Sequence, residues 1–60
     1  MTDGLIRLPD LLRLIPVRRE TIWRWHRAGT FPAPVRIGGR AAWVRAEVDA
    51  WIDARKGERT

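Results

Sequence analysis

The stretch "PVRRETIWRWHRAG", residues 16–29, places four arginines and two tryptophans in one helical pattern. On a wheel of about 100° per residue, Trp25 falls beside Ile22, whereas Trp23 falls on the far side among the arginines. The stretch therefore predicts a helix over residues 19–28 with an apolar face for the core and a basic face directed outward. Gly29 is expected to end this helix.

The segment "LIRLPDLLRLIP", residues 5–16, precedes this helix and has helical spacing of its own. Pro9 suits a first helical position and Pro16 cannot continue a helix, so we expect a first helix over residues 9–14. The apolar residues at helical spacing in this segment are Leu8, Leu11, Leu12 and Ile15. Two short helices joined by a turn of about three or four residues form a helix-turn-helix, whose second helix can enter the major groove of DNA.

The segment "TFPAPVRIGGRAAWV", residues 30–44, changes from helical spacing to the alternation that is typical of strands. Gly38 and Gly39 stand between two short β-like runs and both accept a positive φ, so they predict a tight hairpin turn. Beyond the hairpin, "AEVDAWIDAR" predicts a third helix over residues 46–55. The predicted fold class is mainly α with a small β-hairpin, namely a winged helix-turn-helix of three short helices and a two-stranded wing.

The length of 60 residues allows a single domain, whose ordered part we expect to cover about residues 5–55. Because the chain has no cysteine, neither disulfides nor thiolate metal sites can stabilise it. Its four tryptophans are the obvious bulk for a small core. We expect Trp25, Trp43 and Trp51 to be core residues and Trp23 to be partly buried.

The net charge of +5 is concentrated in the middle of the chain. Residues 17–45 carry seven arginines against the single acid Glu20, which gives +6, whereas residues 1–16 sum to zero and residues 46–60 sum to −1. A solvated surface normally mixes the two signs, so this excess points to a polyanionic partner. Eleven of the twelve basic residues are arginines, which fits forked recognition of phosphate and guanine but equally fits a genome rich in G and C.

The order helix, turn, helix, hairpin, helix resembles that of the AlpA-like prophage regulators, within the excisionase and MerR-type group of winged helix-turn-helix proteins. The resemblance covers about residues 5–55 and is carried by "TIWR", "AGTFPAPVRIGGRAAW" and "AEVDAWI". It implies a transcription regulator, or an excisionase-like factor, that inserts its second helix in the major groove. The Gly38–Gly39 hairpin would then be a wing against the DNA backbone or minor groove. The chain departs from the family pattern at Arg18 and Arg45, near the starts of the second and third helices.

The predicted contact surface comprises the basic face of the second helix and the wing. Arginine can fork onto guanine, and Glu20 can accept a hydrogen bond from cytosine. Arg27 fits a phosphate better, because the N-terminal turns of such a helix usually reach the bases. The predicted DNA-binding residues are Arg18, Arg19, Glu20, Thr21, Trp23, Arg24, Arg27, Arg36, Gly38, Gly39 and Arg40.

Each part of this surface also has an alternative role. The helix face can be a solvated face on which Glu20 and Arg24 pair, and the wing can be an ordinary hairpin with arginines in solvent. Trp23 either lies along a sugar-phosphate strand, with its indole N–H on a phosphate, or covers the edge of the core. Aromatic residues among arginines can also form a stacking platform for single strands, but their placement on helices and a hairpin argues against it.

We expect no catalytic, cofactor or metal site. His26 is the sole histidine and no cysteine can join it, so we expect it to pack beside the core face. The three carboxylates Glu47, Asp49 and Asp53 spread around a predicted exposed helix, which indicates a role in solubility rather than acid–base catalysis. The sequence therefore predicts a protein that is not an enzyme.

We expect a sequence-specific protein for double-stranded DNA, with no membrane partner and no small-molecule substrate. The lack of an apolar run of roughly 20 residues, and of a signal-peptide core, predicts a cytoplasmic protein associated with the nucleoid. No heptad repeat is present, so we expect a monomer in solution that can assemble cooperatively on DNA. Two alternatives stay open: an excisionase-like architectural factor that bends DNA, and a small basic module that docks an acidic protein.

Overall fold

The computed structural model describes residues 4–58, apart from the side chain of Glu58, and within that range it has three helices and one three-stranded sheet. The elements in chain order are β1 (Leu5–Arg7), α1 (Leu8–Leu14), α2 (Arg19–Arg27), β2 (Val35–Ile37), β3 (Arg40–Val44) and α3 (Arg45–Glu58). The chain is therefore a small mixed α/β domain in which a helix-turn-helix is followed by a hairpin and a third helix.

Both helices of the helix-turn-helix have ends within one residue of those predicted. At the end of α2, Gly29 has a φ of 78°, which favours glycine. The backbone N–H of Gly29 donates to the carbonyl of His26 at 3.0 Å, and that of Thr30 donates to the carbonyl of Trp25 at 2.9 Å. These two hydrogen bonds form a Schellman motif, so the prediction that Gly29 ends the helix is confirmed.

The sheet has three strands, so the expectation of a two-stranded wing is wrong. β3 lies between β1 and β2 and pairs with both in antiparallel orientation. β1 has only three residues and leads directly into α1. Its alternation of apolar and polar residues is too short to be distinguished from the helical spacing that follows. Its hydrogen-bonding partner is β3, which is distant in sequence, and local patterns do not report such pairing.

The register divides the sheet into two faces. The inner face, which packs against the helices, consists of Ile6, Arg36, Ala41 and Trp43. The outer face consists of Leu5, Arg7, Val35, Ile37, Arg40, Ala42 and Val44. Because successive residues of a strand point to opposite sides, the two arginines of the hairpin fall on different faces of the sheet.

The core is built around one tryptophan rather than three. Trp43 is fully buried and its indole N–H donates to the carbonyl of Pro32 at 3.0 Å, so this core residue is confirmed. Trp25 and Trp51 are only half-buried at the core margin, which corrects the expectation for both. The N–H of Trp51 reaches the exposed carbonyl of Thr30 at 2.7 Å, so this indole keeps one end near water. The buried residues are Ile6, Leu11, Ile15, Ile22, Phe31, Ala42, Trp43 and Val48.

α3 is longer than predicted at both ends. It begins at Arg45 directly after β3 and runs to Glu58, three residues beyond the expected end at Arg55. Basic residues in the last turn suit the negative end of the helix dipole. Lys56 Nζ also lies 3.6 Å from Asp53 Oδ1, one turn away. These charges account for the added turn, whereas residues 59–60 lie outside the described range.

Candidate nucleic-acid interface

α2 directs its predicted basic face into solvent. Ile22 is fully buried on the opposite side of the helix, which fixes how the helix is rotated against the core. Thr21 is half-buried at the border between the two sides. The exposed members of the predicted set on this helix are Arg19, Glu20, Arg24 and Arg27. All four side chains are therefore accessible, and Glu20, Arg24 and Arg27 lie on the side of the helix opposite Ile22, as the helical wheel predicts.

Arg18 stands at the N-cap position of α2 and makes no capping hydrogen bond with its side chain. Its backbone carbonyl accepts a hydrogen bond from the N–H of Thr21 at 3.0 Å, while its side chain is exposed. A positive charge here opposes the helix dipole by roughly 0.3–1 kcal/mol. An external anion at this helix end would offset that cost.

The wing turn has the geometry that the glycine pair predicts. Gly38 and Gly39 have φ values of 58° and 80°, and the flanking Ile37 and Arg40 are directly paired. Two consecutive residues with positive φ make the type I′ turn that suits the twist of a hairpin. Arg36 and Arg40 flank this turn from opposite faces of the sheet, and Arg36 Nη1 donates to the carbonyl of Gly39 at 3.4 Å.

Trp23 connects the second helix to the sheet. It is half-buried, as predicted, and its ring lies against that of Trp43. His26 packs edge-on against Trp23, with ring centroids 6.1 Å apart, and is also half-buried. The packing role predicted for His26 is therefore confirmed, whereas a contact between Trp23 and DNA stays a prediction.

The arginines of this surface have no acidic partner among residues 4–58. The three ion pairs between described side chains are Arg13–Asp10 at 3.9 Å, Arg45–Asp49 at 3.2 Å and Lys56–Asp53 at 3.6 Å. Glu20 and Arg24, both exposed on α2, do not approach within ion-pair distance of each other. The arginines of the predicted set that form no ion pair with a described side chain are Arg18, Arg19, Arg24, Arg27, Arg36 and Arg40. The positive charge of this surface is consequently uncompensated within the described fold.

An apolar groove of about 760 Å³ lies between residues 29–35 and α3. Within the described part of the chain, Glu47 is the one ionisable side chain in its lining. A single carboxylate without a second acid, base or nucleophile does not make a catalytic set. Elsewhere in residues 4–58, no three potential metal-ligating side chains come together, and no helix is long and apolar enough to cross a membrane.

Arg7 lies next to the wing part of the predicted contact surface, although the set of DNA-binding residues predicted from the sequence does not include it. β1 pairs Arg7 with Ala42, which places the arginine on the outer face of the sheet. In the sequence, Arg7 belongs to residues 1–16, whose positive and negative charges sum to zero. Only recognition of "LIR" as a strand would have indicated its position.

These features define a class of protein: a small helix-turn-helix domain with an arginine-rich second helix and a three-stranded wing. The family described as "Prophage CP4-57 regulatory protein (AlpA)" matches residues 4–56. The chain belongs to this AlpA family of prophage regulatory proteins, which confirms the resemblance to AlpA-like regulators.

A phage relative supports the same assignment. The chain is 39% identical over 54 residues to "Uncharacterized protein ORF88" of Enterobacteria phage P4. The match covers 88% of this chain and 61% of the relative. The chain thus spans about three-fifths of the length of this curated relative.

Proposed function

We propose that this AlpA-family protein is a prophage-type transcription regulator that binds double-stranded DNA in a sequence-specific manner. In this proposal α2 enters the major groove and the wing lies on the backbone or minor groove. The observation that carries the proposal is the set of arginines, from the N-cap of α2 to the wing, that have no acidic partner within residues 4–58. Phosphates would neutralise these guanidinium groups, and the release of condensed counterions would favour the complex.

The side chains divide by position into base-facing and backbone-facing groups. Glu20 and Arg24 are proposed to face base edges, with Thr21 beside them, because the first turns of such a helix reach deepest into the groove. The groups proposed to meet the sugar-phosphate backbone are Arg18, Arg19, Trp23, Arg27, Arg36 and Arg40, with the N–H groups of Gly38 and Gly39.

The remaining expectations belong to the same proposal. The protein would be monomeric in solution and assemble cooperatively on DNA, without a cofactor or a small-molecule substrate. Because its partner would be the bacterial chromosome or a phage genome, it would act in the cytoplasm at the nucleoid. Its grouping with MerR-type proteins is likewise a proposal that follows from the winged helix-turn-helix arrangement.

One observation favours DNA bending as a second candidate function. Ile37 stands at the tip of the wing with 57% of its surface exposed, although it is apolar. Apolar side chains that enter the minor groove can open a base step and kink the duplex, as an excisionase-like factor would require. Ile37→Ala should then reduce the bend angle measured by energy transfer between labelled DNA ends, while a regulator that does not bend DNA would show no change.

Selection of bound duplexes from a random pool, followed by footprinting of the enriched sequence, tests the main proposal. We expect one enriched motif, with base contacts in a major groove and protected phosphates on either side. Arg24→Ala, which removes a proposed base contact from an exposed site, serves as the matched control and should enrich a relaxed motif. Failure of the parent protein to retain any duplex would overturn the proposal and favour the protein-docking module.

A further inference from the structure

Arg7 and Arg40 are neighbours on the outer face of the sheet. Arg7 is paired with Ala42 across β1 and β3, and Arg40 lies two residues before Ala42 on β3. Diagonal neighbours of this kind have side chains that begin roughly 7 Å apart. Both arginines line one hollow of about 180 Å³, whose other lining residues are Leu5, Ile37, Ala41 and Ala42.

Nothing in the described part of the chain neutralises this pair of charges. Neither arginine forms an ion pair among residues 4–58, both are exposed, and no carboxylate lines the hollow. Like charges at neighbouring positions of a sheet repel and destabilise it. Phosphates bound at the two guanidinium groups would offset that repulsion and accept forked hydrogen bonds from them.

The position of the hollow indicates which anion it suits. Arg7 is at the end of β1 nearer the wing turn, because Leu5 pairs with Val44 and Arg7 with Ala42. A strand of DNA that meets the turn can therefore continue across the outer face to β1. The exposed apolar side chains of Leu5 and Ile37 suit the C–H surface of deoxyribose, while the arginines suit the phosphates on either side.

We infer that Arg7 and Arg40 form a phosphate-binding pair, so that the third strand of the sheet extends the DNA contact of the wing. This inference rests on the proposed function. It adds one contact, Arg7, that lies outside the basic middle of the sequence and reaches the wing only through the pairing of β1 with β3.

Truncation of Arg7 tests the inference through the salt dependence of duplex binding. Arg7 is the N-cap residue of α1 but makes no capping hydrogen bond with its side chain, so Arg7→Ala removes no cap. Each phosphate contact contributes about −0.9 to the slope of log affinity against log salt. Over a fourfold rise in salt, the affinity of Arg7→Ala should therefore fall about 3.5 times less than that of the parent. Arg13→Ala is the matched control, because Arg13 is 84% exposed on α1 and lies near Asp10, and its slope should equal the parent's.

Ethylation interference on the same duplex locates the contact. Arg7→Ala should lose interference at one phosphate next to that lost by Arg40→Ala, with base preference unchanged. Arg7→Lys keeps the charge and should restore the slope. This variant therefore distinguishes the loss of the positive charge from a loss of folded protein. If the parent binds duplex DNA and Arg7→Ala shows the parent's slope and interference map, the inference is wrong while the proposed function stands. If the parent itself does not bind duplex DNA, the proposed function fails first.

Discussion

Trp23 of α2 packs against Trp43 of β3, with ring centroids 5.5 Å apart and planes inclined by 48°. The ring of Trp43 in turn packs against that of Phe31, with centroids 6.5 Å apart, and Phe31 packs against Trp51, with centroids 4.9 Å apart. A continuous row of aromatic rings therefore joins α2, the sheet and α3. The two parts of the proposed DNA surface, the second helix and the wing, are held in one relative orientation by this row.

Trp23→Phe separates the two roles of this side chain. Phenylalanine keeps a ring against Trp43 but lacks the indole N–H that is proposed to bind a phosphate. A hydrogen bond to a charged group contributes about 1.5 kcal/mol, so duplex affinity should fall roughly tenfold on all sequences. Thermal unfolding of the free protein should change little. An affinity equal to the parent's would show that Trp23 only covers the core edge.

Trp51→Ala should unfold a large fraction of the protein. The indole contacts Phe31, donates to the carbonyl of Thr30 at 2.7 Å, and lies 4.8 Å beneath the guanidinium of Arg55. Loss of these contacts should cost about 3 kcal/mol, a large share of the stability of so small a domain. Trp51→Phe keeps the ring and loses the hydrogen bond, so its cost should be about 1 kcal/mol. Chemical denaturation measures both, and an alanine variant as stable as the parent would show that the Trp51 side chain contributes little to the core.

Gly39→Ala and Gly57→Ala should change stability in opposite directions. An added methyl group meets no atom within 4 Å at either site, so backbone conformation decides the outcome. Gly39 has a φ of 80° in the wing turn, where alanine costs about 1–2 kcal/mol. Gly57 is in the last turn of α3, where helix ends fray, so alanine should stabilise by no more than about 0.5 kcal/mol. A melting temperature of Gly39→Ala equal to or above the parent's would contradict the turn geometry.

The sequence predicts those parts of the fold that local residues control. Pro16 and Gly29 mark helix ends, and Gly38–Gly39 marks the hairpin, because each restricts or permits particular backbone angles nearby. The burial of Ile22 likewise follows from helical spacing, and with it the exposure of the arginines on α2. Local spacing does not predict the third strand or the half-burial of Trp51, because both depend on contacts between segments distant in sequence. Arg7 is missed as part of the candidate site for the same reason.

Arg24→Ala and Arg40→Ala should affect recognition differently. Arg24 is proposed to contact a base, so its loss should relax preference at one or two base pairs by about 1–3 kcal/mol. Arg40 is proposed to contact a phosphate, which carries no sequence information, so its loss should weaken binding uniformly. Affinities of both variants for a panel of singly substituted duplexes give the comparison. Identical specificity profiles would contradict this division of roles.

The arginines of the predicted contact surface, which form no ion pair within residues 4–58, are proposed to bind DNA phosphates. If Arg18, Arg19, Arg27, Arg36 and Arg40 neutralise four to five phosphates, the slope of log affinity against log salt should be near −4, at about −0.9 per phosphate. A contact from Arg7 would bring the slope near −5. The free protein should gain stability over the same salt range, because salt screens the crowded positive charges.

The most direct measurement is a titration of duplex DNA with the parent protein at several salt concentrations, beside thermal melts of the protein alone. We expect a slope between about −4 and −5 for binding and rising stability for the free protein. A module that docks an acidic protein would share the second trend but not the first. An affinity for duplex DNA that does not respond to salt would contradict the proposal that these arginines bind DNA phosphates.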